Sequence, residues 1–264
     1  MNKLSYKKIL SKKNKIPITC LTAYSSSIAK ILDGEVDLIL IGDSLGTTVY
    51  GMKNTRGVTI DMMKNHGRAV VKNTKFSMTI VDMPYNTYRN KKEALNNANI
   101  LINFTKANFV KIETDNKTID IVKYLTDNKI NVVSHIGITP QHFINFKKIK
   151  SVGKQNEDRK KLLDLATKLE QAGSKLIVLE CINQLTAKKI TNTLSIPTIG
   201  IGSSKYCDGQ VLVIDDVLNF NSDIKKPKFV KNFTNIEAIV SKAVKNFAKS
   251  VKNKKFPLQK HSYK

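Results

Sequence analysis

Short, continuous apolar runs alternate along this chain with longer stretches whose apolar residues recur every three or four positions. Runs rich in Val and Ile read as strands buried on both faces, as in a parallel sheet. The strand signals are Ile18–Leu21, a run ending at Asp43, one ending at Asp82, one ending at Glu113, Ile130–Ser134 leading to His135, one ending at Glu180, Pro197–Ile201 and Val211–Ile214. Between them the helical spacing predicts helices over Ser25–Leu32, Asp61–Lys72, Lys91–Ala107, Lys117–Asp127, Glu157–Ala172 with Gly173 as its stop, Asn183–Thr193 and Asn235–Val251. Strands alternating with helices imply parallel pairing. Eight strands in 264 residues favour a closed (β/α)8 TIM barrel, which typically needs about 250. An open doubly wound sheet is the weaker alternative, because no GxGxxG follows the first strand. The segment before Pro17 has helical character and is expected to cap the barrel, making residues 1–264 one barrel domain with an N-terminal helical cap. The loops Ser44–Thr59 and Met83–Asn90 and the basic, irregular stretch Gln141–Gln155 complete the expectation.

Four of the strand runs end in an acidic residue: Asp43, Asp82, Glu113 and Glu180. A carboxylate just past a buried strand lies at the strand's C-terminal end, where parallel α/β folds assemble their active sites. Three carboxylates from neighbouring strands can hold a hard divalent ion through oxygen. Lys111 stands two residues before Glu113, so both side chains share one face of the strand and an ammonium is available for an anionic substrate group. Glu180 lies further round the ring and is free to act as a base. His135 points to the same rim, either as a catalytic group or as a satisfied structural one. His66 reads as a supporting residue, and His142 and His261 carry no spacing signal. Residue chemistry alone gives metal-assisted enolisation of a 2-oxo acid; the competing account is rim salt bridges to the many lysines.

Composition changes this picture little. The chain carries 45 basic and 21 acidic residues, a net +24. A polyanion partner is one explanation, but the lysines are spread along the whole chain and no nucleic-acid-binding motif accompanies them. In the last helix Ile239, Ala243, Val244, Phe247 and Val251 recur at helical spacing, which would put the lysines of 242–255 on the outer face. Cys20, Cys181 and Cys207 form no CxxC pair, and no apolar stretch reaches membrane-spanning length. The expectation is a reduced, soluble, cytoplasmic protein that binds neither nucleic acid nor membrane.

In order along the chain, Thr22-Ala23-Tyr24, Ile41-Gly42-Asp43-Ser44-Leu45-Gly46, Val81-Asp82-Met83-Pro84-Tyr85, Val110-Lys111-Ile112-Glu113, His135-Ile136-Gly137-Ile138-Thr139-Pro140-Gln141, Leu179-Glu180-Cys181 and Ile199-Gly200-Ile201-Gly202 stand as in one family. With Cys207-Asp208-Gly209-Gln210 and Pro227-Lys228-Phe229, the chain resembles ketopantoate hydroxymethyltransferase over nearly its full length. The resemblance implies a (β/α)8 barrel of the phosphoenolpyruvate/pyruvate type. It implies Mg2+ or a similar divalent ion held by Asp43, Asp82 and Glu113, substrate contacts from Asp43, Ser44, Asp82 and Lys111, and Glu180 as proton acceptor. It further implies 5,10-methylene-tetrahydrofolate as co-substrate, 3-methyl-2-oxobutanoate as acceptor, and a homo-oligomer, commonly a decamer. The chain departs from the family at Phe146–Gln155, Ser203-Ser204, Asp215-Asp216 and Gly34-Glu35, all outside the metal and base set. A carbon–carbon lyase on the same barrel is the alternative enzyme; such lyases rely on a cysteine in a mobile loop, and no cysteine here sits in a comparable one.

Overall fold

A computed structural model describes residues 3–142, 151–220 and 226–263. The chain divides into two compact units, Met1–Val213 and Ile214–Lys264. The first holds the complete barrel. Its strands are β1 (Ile18–Thr22), β2 (Leu38–Ile41), β3 (Met78–Asp82), β4 (Phe109–Glu113), β5 (Val132–Gly137), β6 (Leu176–Glu180), β7 (Thr198–Ile201) and β8 (Gly209–Leu212). They close in sequence order, and every pairing is parallel. Four of the strands are buried at every position and β5 at all but Gly137, which is why they read as unbroken apolar runs rather than alternating ones.

The connecting helices are α2 (Ser26–Leu32), α4 (Ile60–Val71), α5 (Lys91–Thr105), α6 (Ile119–Asp127), α7 (Asn156–Gln171) and α8 (Gln184–Thr193). Ser25, Thr59 and Asn90 accept hydrogen bonds from first-turn amides at the starts of α2, α4 and α5. The loop Ser44–Thr59 contains the four-residue helix α3 (Leu45–Thr48) and a 3-10 turn at Thr55–Gly57.

The pole below the strands' N-terminal ends is sealed by α1 (Tyr6–Lys12). Its Ile9 is fully buried in the interior cluster with Ile18, Leu38, Phe109 and Leu176. Around it each carboxylate has its own cation: Lys12 with Asp37, and Lys13 with Asp208 at 2.9 Å. Asp208 also accepts from Thr198 N–H at 2.8 Å, so the cap is stitched to β7.

Several boundaries move from those read in the sequence. β5 continues past His135 to Gly137, because Gly137 still pairs with Glu180 of β6. His135 therefore lies within a strand, not at its end. β8 begins at Gly209, two residues before the apolar run, because Ile18 pairs with Gly209 and a Cβ there would lie 2.4 Å from the Ile18 carbonyl. Of the irregular segment Gln141–Gln155, residues 143–150 lie outside the described residues.

The second unit contains α9 (Ile214–Leu218) and α10 (Ile236–Lys252). The apolar stripe on α10 has the predicted spacing, but none of its residues is buried: Ile239, Val244 and Phe247 are 58–59% exposed. The amphipathic pattern is real, and the covered inner face expected for it is not found within the described residues.

Candidate active site

The parallel order puts the C-terminal ends of all eight strands at one mouth. Asp43 follows β2, Asp82 ends β3, Lys111 and Glu113 lie in β4, His135 in β5 and Glu180 ends β6. All are buried. Register brings them together in pairs: Asp82 opposite Lys111, and Glu113 opposite His135. Lys111 Nζ lies 3.1 Å from Asp82 Oδ1 and 3.4 Å from His135 Nδ1. Asp43 N–H donates to Asp82 Oδ2 at 3.0 Å. Tyr24 and Ser44 share a 2.7 Å hydroxyl–hydroxyl bond, and a Cβ on Gly42 would stand 2.9 Å from Ser44 Oγ and 3.7 Å from Asp82 Oδ2. The bare backbone of Gly42 thus lets Ser44 approach the carboxylates.

His135 Nε2 stands 3.1 Å from Glu180 Oε2. An ammonium can only donate, so Nδ1 facing Lys111 is the accepting nitrogen and Nε2 carries the proton; its placement near Glu180 does not complete a hydrogen bond. Burial, and after it the Lys111 charge, pushes the imidazole down to about 4, so His135 is neutral at pH 7. Burial raises Glu180 to about 8 against the pull of Lys111. Burial also acts to lower Lys111, but Asp82, Asp43 and Glu113 outweigh it and the ammonium is held above its ordinary value. Asp43 is pushed up by burial and then by the Asp82 charge.

Charge balance decides what this mouth can hold. At the opposite pole each buried carboxylate is matched by a lysine, whereas here Asp43, Asp82, Glu113 and Glu180 face one buried ammonium. Buried carboxyls in excess are costly as anions unless paired or bound to a cation, and without one they keep protons, the direction in which Asp43 and Glu180 are shifted. Oxygen donors of this kind suit a hard divalent ion. Among the described residues no three His, Cys, Asp or Glu side chains stand close enough to grip one ion together. Asp43, Asp82 and Glu113 are therefore not a closed cage. Mg2+ rarely uses one: it keeps several waters and takes one or two carboxylates plus substrate oxygens. The residues fit such an ion.

Sequence reading missed a second layer. Gln141 N–H donates to both oxygens of Glu113 at 3.1 Å, and its Nε2 donates to Asp43 Oδ2 at 2.7 Å. Tyr88 donates to Gln141 Oε1. Arg56 Nε donates to the Gln141 carbonyl at 2.8 Å, and its guanidinium sits over Tyr85. His142 Nδ1 lies 3.3 Å from Glu113 Oε2, a bond that raises the histidine's pKa. Only the motif His135–Gln141 hinted at this layer. His66 supports Tyr24, with Nδ1 2.6 Å from the Tyr24 carbonyl and Nε2 bonded to the Tyr50 hydroxyl. The three cysteines are buried, and burial raises the thiol of Cys181 to about 12, which leaves no ready nucleophile beside Glu180.

A closed parallel barrel with an ionisable, cation-seeking mouth at its C-terminal face defines a (β/α)8-barrel enzyme. Solved structures agree on the fold. A phosphonopyruvate hydrolase superposes with TM-score 0.63 at 11% identity, covering 96% of this chain and 88% of that one. A 2,3-dimethylmalate lyase of the PEP mutase/isocitrate lyase superfamily gives 0.61 at 12% identity, covering 98% and 92%. Sequence narrows the class. The family model for ketopantoate hydroxymethyltransferase matches residues 3–259. The 3-methyl-2-oxobutanoate hydroxymethyltransferase of Pelagibacter ubique (strain HTCC1062) is 49% identical over 260 residues, 97% of this chain and 99% of that protein. The enzyme of the same name from Helicobacter pylori (strain Shi470) is 41% identical over 263 residues, 100% and 97%. The chain belongs to the ketopantoate hydroxymethyltransferase family. No helix among the described residues is long and apolar enough to cross a membrane.

Proposed function

We propose that the protein transfers a hydroxymethyl unit from 5,10-methylene-tetrahydrofolate to C3 of 3-methyl-2-oxobutanoate, giving 2-dehydropantoate, the first step of pantothenate biosynthesis. The observation that carries the reading is the family match along residues 3–259, with Asp43, Asp82, Lys111, Glu113 and Glu180 gathered at one barrel mouth. A phosphonopyruvate hydrolase of the same fold has been crystallised with oxalate and Mg++ (TM-score 0.62, 10% identity), which supports a divalent ion.

Of Asp43, Asp82 and Glu113, one or two would hold the ion directly and the rest through water. When bound, the ion supplies Lewis-acid polarisation of the 2-oxo group, worth several kcal/mol as negative charge develops there. Lys111 and Ser44 orient the substrate carboxylate, with Asp43 and Asp82 alongside. Glu180 takes the C3 proton. A carboxylate raised toward 8 is a far better base than an ordinary one, because its affinity for the proton approaches the operating pH. Neutral His135, its Nε2 3.1 Å from Glu180, lies beside the base without adding a charge to it. The C3 carbanion adds to the methylene carbon of the folate, and one water supplies the new hydroxyl as tetrahydrofolate leaves. A homo-oligomer, commonly a decamer in the family, and a cytoplasmic setting belong to the same reading.

The test is direct. Purified protein with 3-methyl-2-oxobutanoate, 5,10-methylene-tetrahydrofolate and Mg2+ should yield 2-dehydropantoate, resolved by mass spectrometry. Folded, metal-replete protein that forms none would sink the assignment.

A further inference from the structure

Gln141 lies on the connection that leaves β5, yet it is only 1% exposed and every polar atom it has is engaged. Its amide nitrogen donates both hydrogens, to Asp43 Oδ2 at 2.7 Å and to the Met83 carbonyl at 3.0 Å. The Met83 carbonyl can only accept, and Tyr88 donates to the amide oxygen, so the amide can sit only one way round. The backbone N–H meanwhile grips both oxygens of Glu113. One residue thus ties together the ends of β2, β3 and β4. Gly137 makes this possible: at φ +103°, it turns the chain back over the mouth, where a Cβ would lie 2.1 Å from the Glu180 carbonyl.

We propose that Gln141, held by Tyr88, is a positioning residue that sets the rotation of Asp43 and its distance from Glu113, and thereby sets the affinity of the mouth for a divalent ion. The inference rests on the reading of Asp43 as a metal ligand. Among the described residues no three acidic groups form a ready-made cage, so the spacing of the ligands is left to the residues that hold them. The amide takes Asp43 Oδ2 and leaves ion binding to Oδ1.

Mn2+ titration of the full chain, followed by electron paramagnetic resonance, tests this with five proteins: wild type, Gln141→Leu, Tyr88→Phe, Asp43→Asn and the Asp43→Asn/Gln141→Leu double variant. Gln141→Leu should raise the Mn2+ Kd by about 10–100-fold, the usual scale for losing an outer partner of a ligand. Tyr88→Phe removes one hydroxyl and should raise Kd by about 2–10-fold, the worth of one hydrogen bond. If Gln141 acts through Asp43, adding Gln141→Leu to Asp43→Asn should change Kd by less than about 2-fold. Wild-type affinity in both Gln141→Leu and Tyr88→Phe, with Asp43→Asn weakened, overturns the proposal while sparing the metal reading. A full Gln141→Leu effect in the double variant also overturns it, since general damage would not depend on Asp43. Unchanged affinity in Asp43→Asn instead removes the metal reading and the proposal with it. Tyr88→Phe keeps every carbon and decides the case if Gln141→Leu does not fold.

Discussion

Replacing Glu180 with glutamine should change how the stability of the metal-free protein responds to pH. The Glu180 carboxyl rises from 4.5 to about 8 on folding, chiefly through burial. Between those values the folded chain keeps a proton that the unfolded chain has released. The folded state therefore binds more protons there, and stability falls as pH rises. At about 1.4 kcal/mol per pH unit the full span is worth about 5 kcal/mol, a ceiling reached only above the folded value. Glutamine does not titrate. Any fixed cost of the amide is the same at every pH, so the difference in slope isolates the carboxyl. The assay is guanidinium unfolding followed by circular dichroism, at fixed protein concentration with chelator present, from pH 4 to 9. The variant should gain on wild type steadily from about pH 4.5 upward, by as much as about 5 kcal/mol at pH 9. Asp43, which is also raised, is common to both proteins and drops out of the comparison. Parallel pH profiles would refute the reasoning, because they would mean that Glu180 titrates alike folded and unfolded.

Other outcomes follow from the same geometry. Asp82→Asn keeps size but removes a buried anion that accepts from Asp43 N–H and neighbours Lys111; its Mg2+ or Mn2+ Kd by calorimetry should rise at least about 10-fold, and unchanged affinity would take Asp82 out of the ion site. Gly137→Ala should lose at least about 1–3 kcal/mol from the backbone conformation alone, measured by thermal melting, and should lower turnover because the new Cβ displaces the Glu180 carbonyl. Binding to DNA or RNA at about 150 mM salt should be weak and non-specific by fluorescence anisotropy, since dispersed lysines neutralise few phosphates at once; tight, sequence-specific binding would contradict it.

The barrel was legible because strands buried on both faces leave unbroken apolar runs, and four of those runs carry a candidate-site carboxylate as the next or last residue. Lys111 was legible for the same reason: a charge two positions from Glu113 must share its face. His135 was located but misplaced at a strand end, since only the pairing of Gly137 with Glu180 shows that β5 runs on. Gln141 escaped as a separate site residue because its partners Glu113, Tyr88 and Asp43 lie 28, 53 and 98 positions away, distances over which periodicity carries no information. The stripe on α10 shows the converse limit. Helical spacing identifies an apolar face but not what covers it.

The most direct test of the mechanism is proton exchange without folate. Wild-type protein with Mg2+ in D2O should exchange the C3 hydrogen of 3-methyl-2-oxobutanoate, followed by proton NMR, because Glu180 can take that proton before any one-carbon donor binds. Glu180→Gln should bind ion and substrate nearly normally and lose exchange by about 10²-fold or more, the scale of a positioned base. Exchange in Glu180→Gln at the wild-type rate would contradict the assignment of the base, and a wild-type protein that exchanges nothing would contradict metal-assisted enolisation itself.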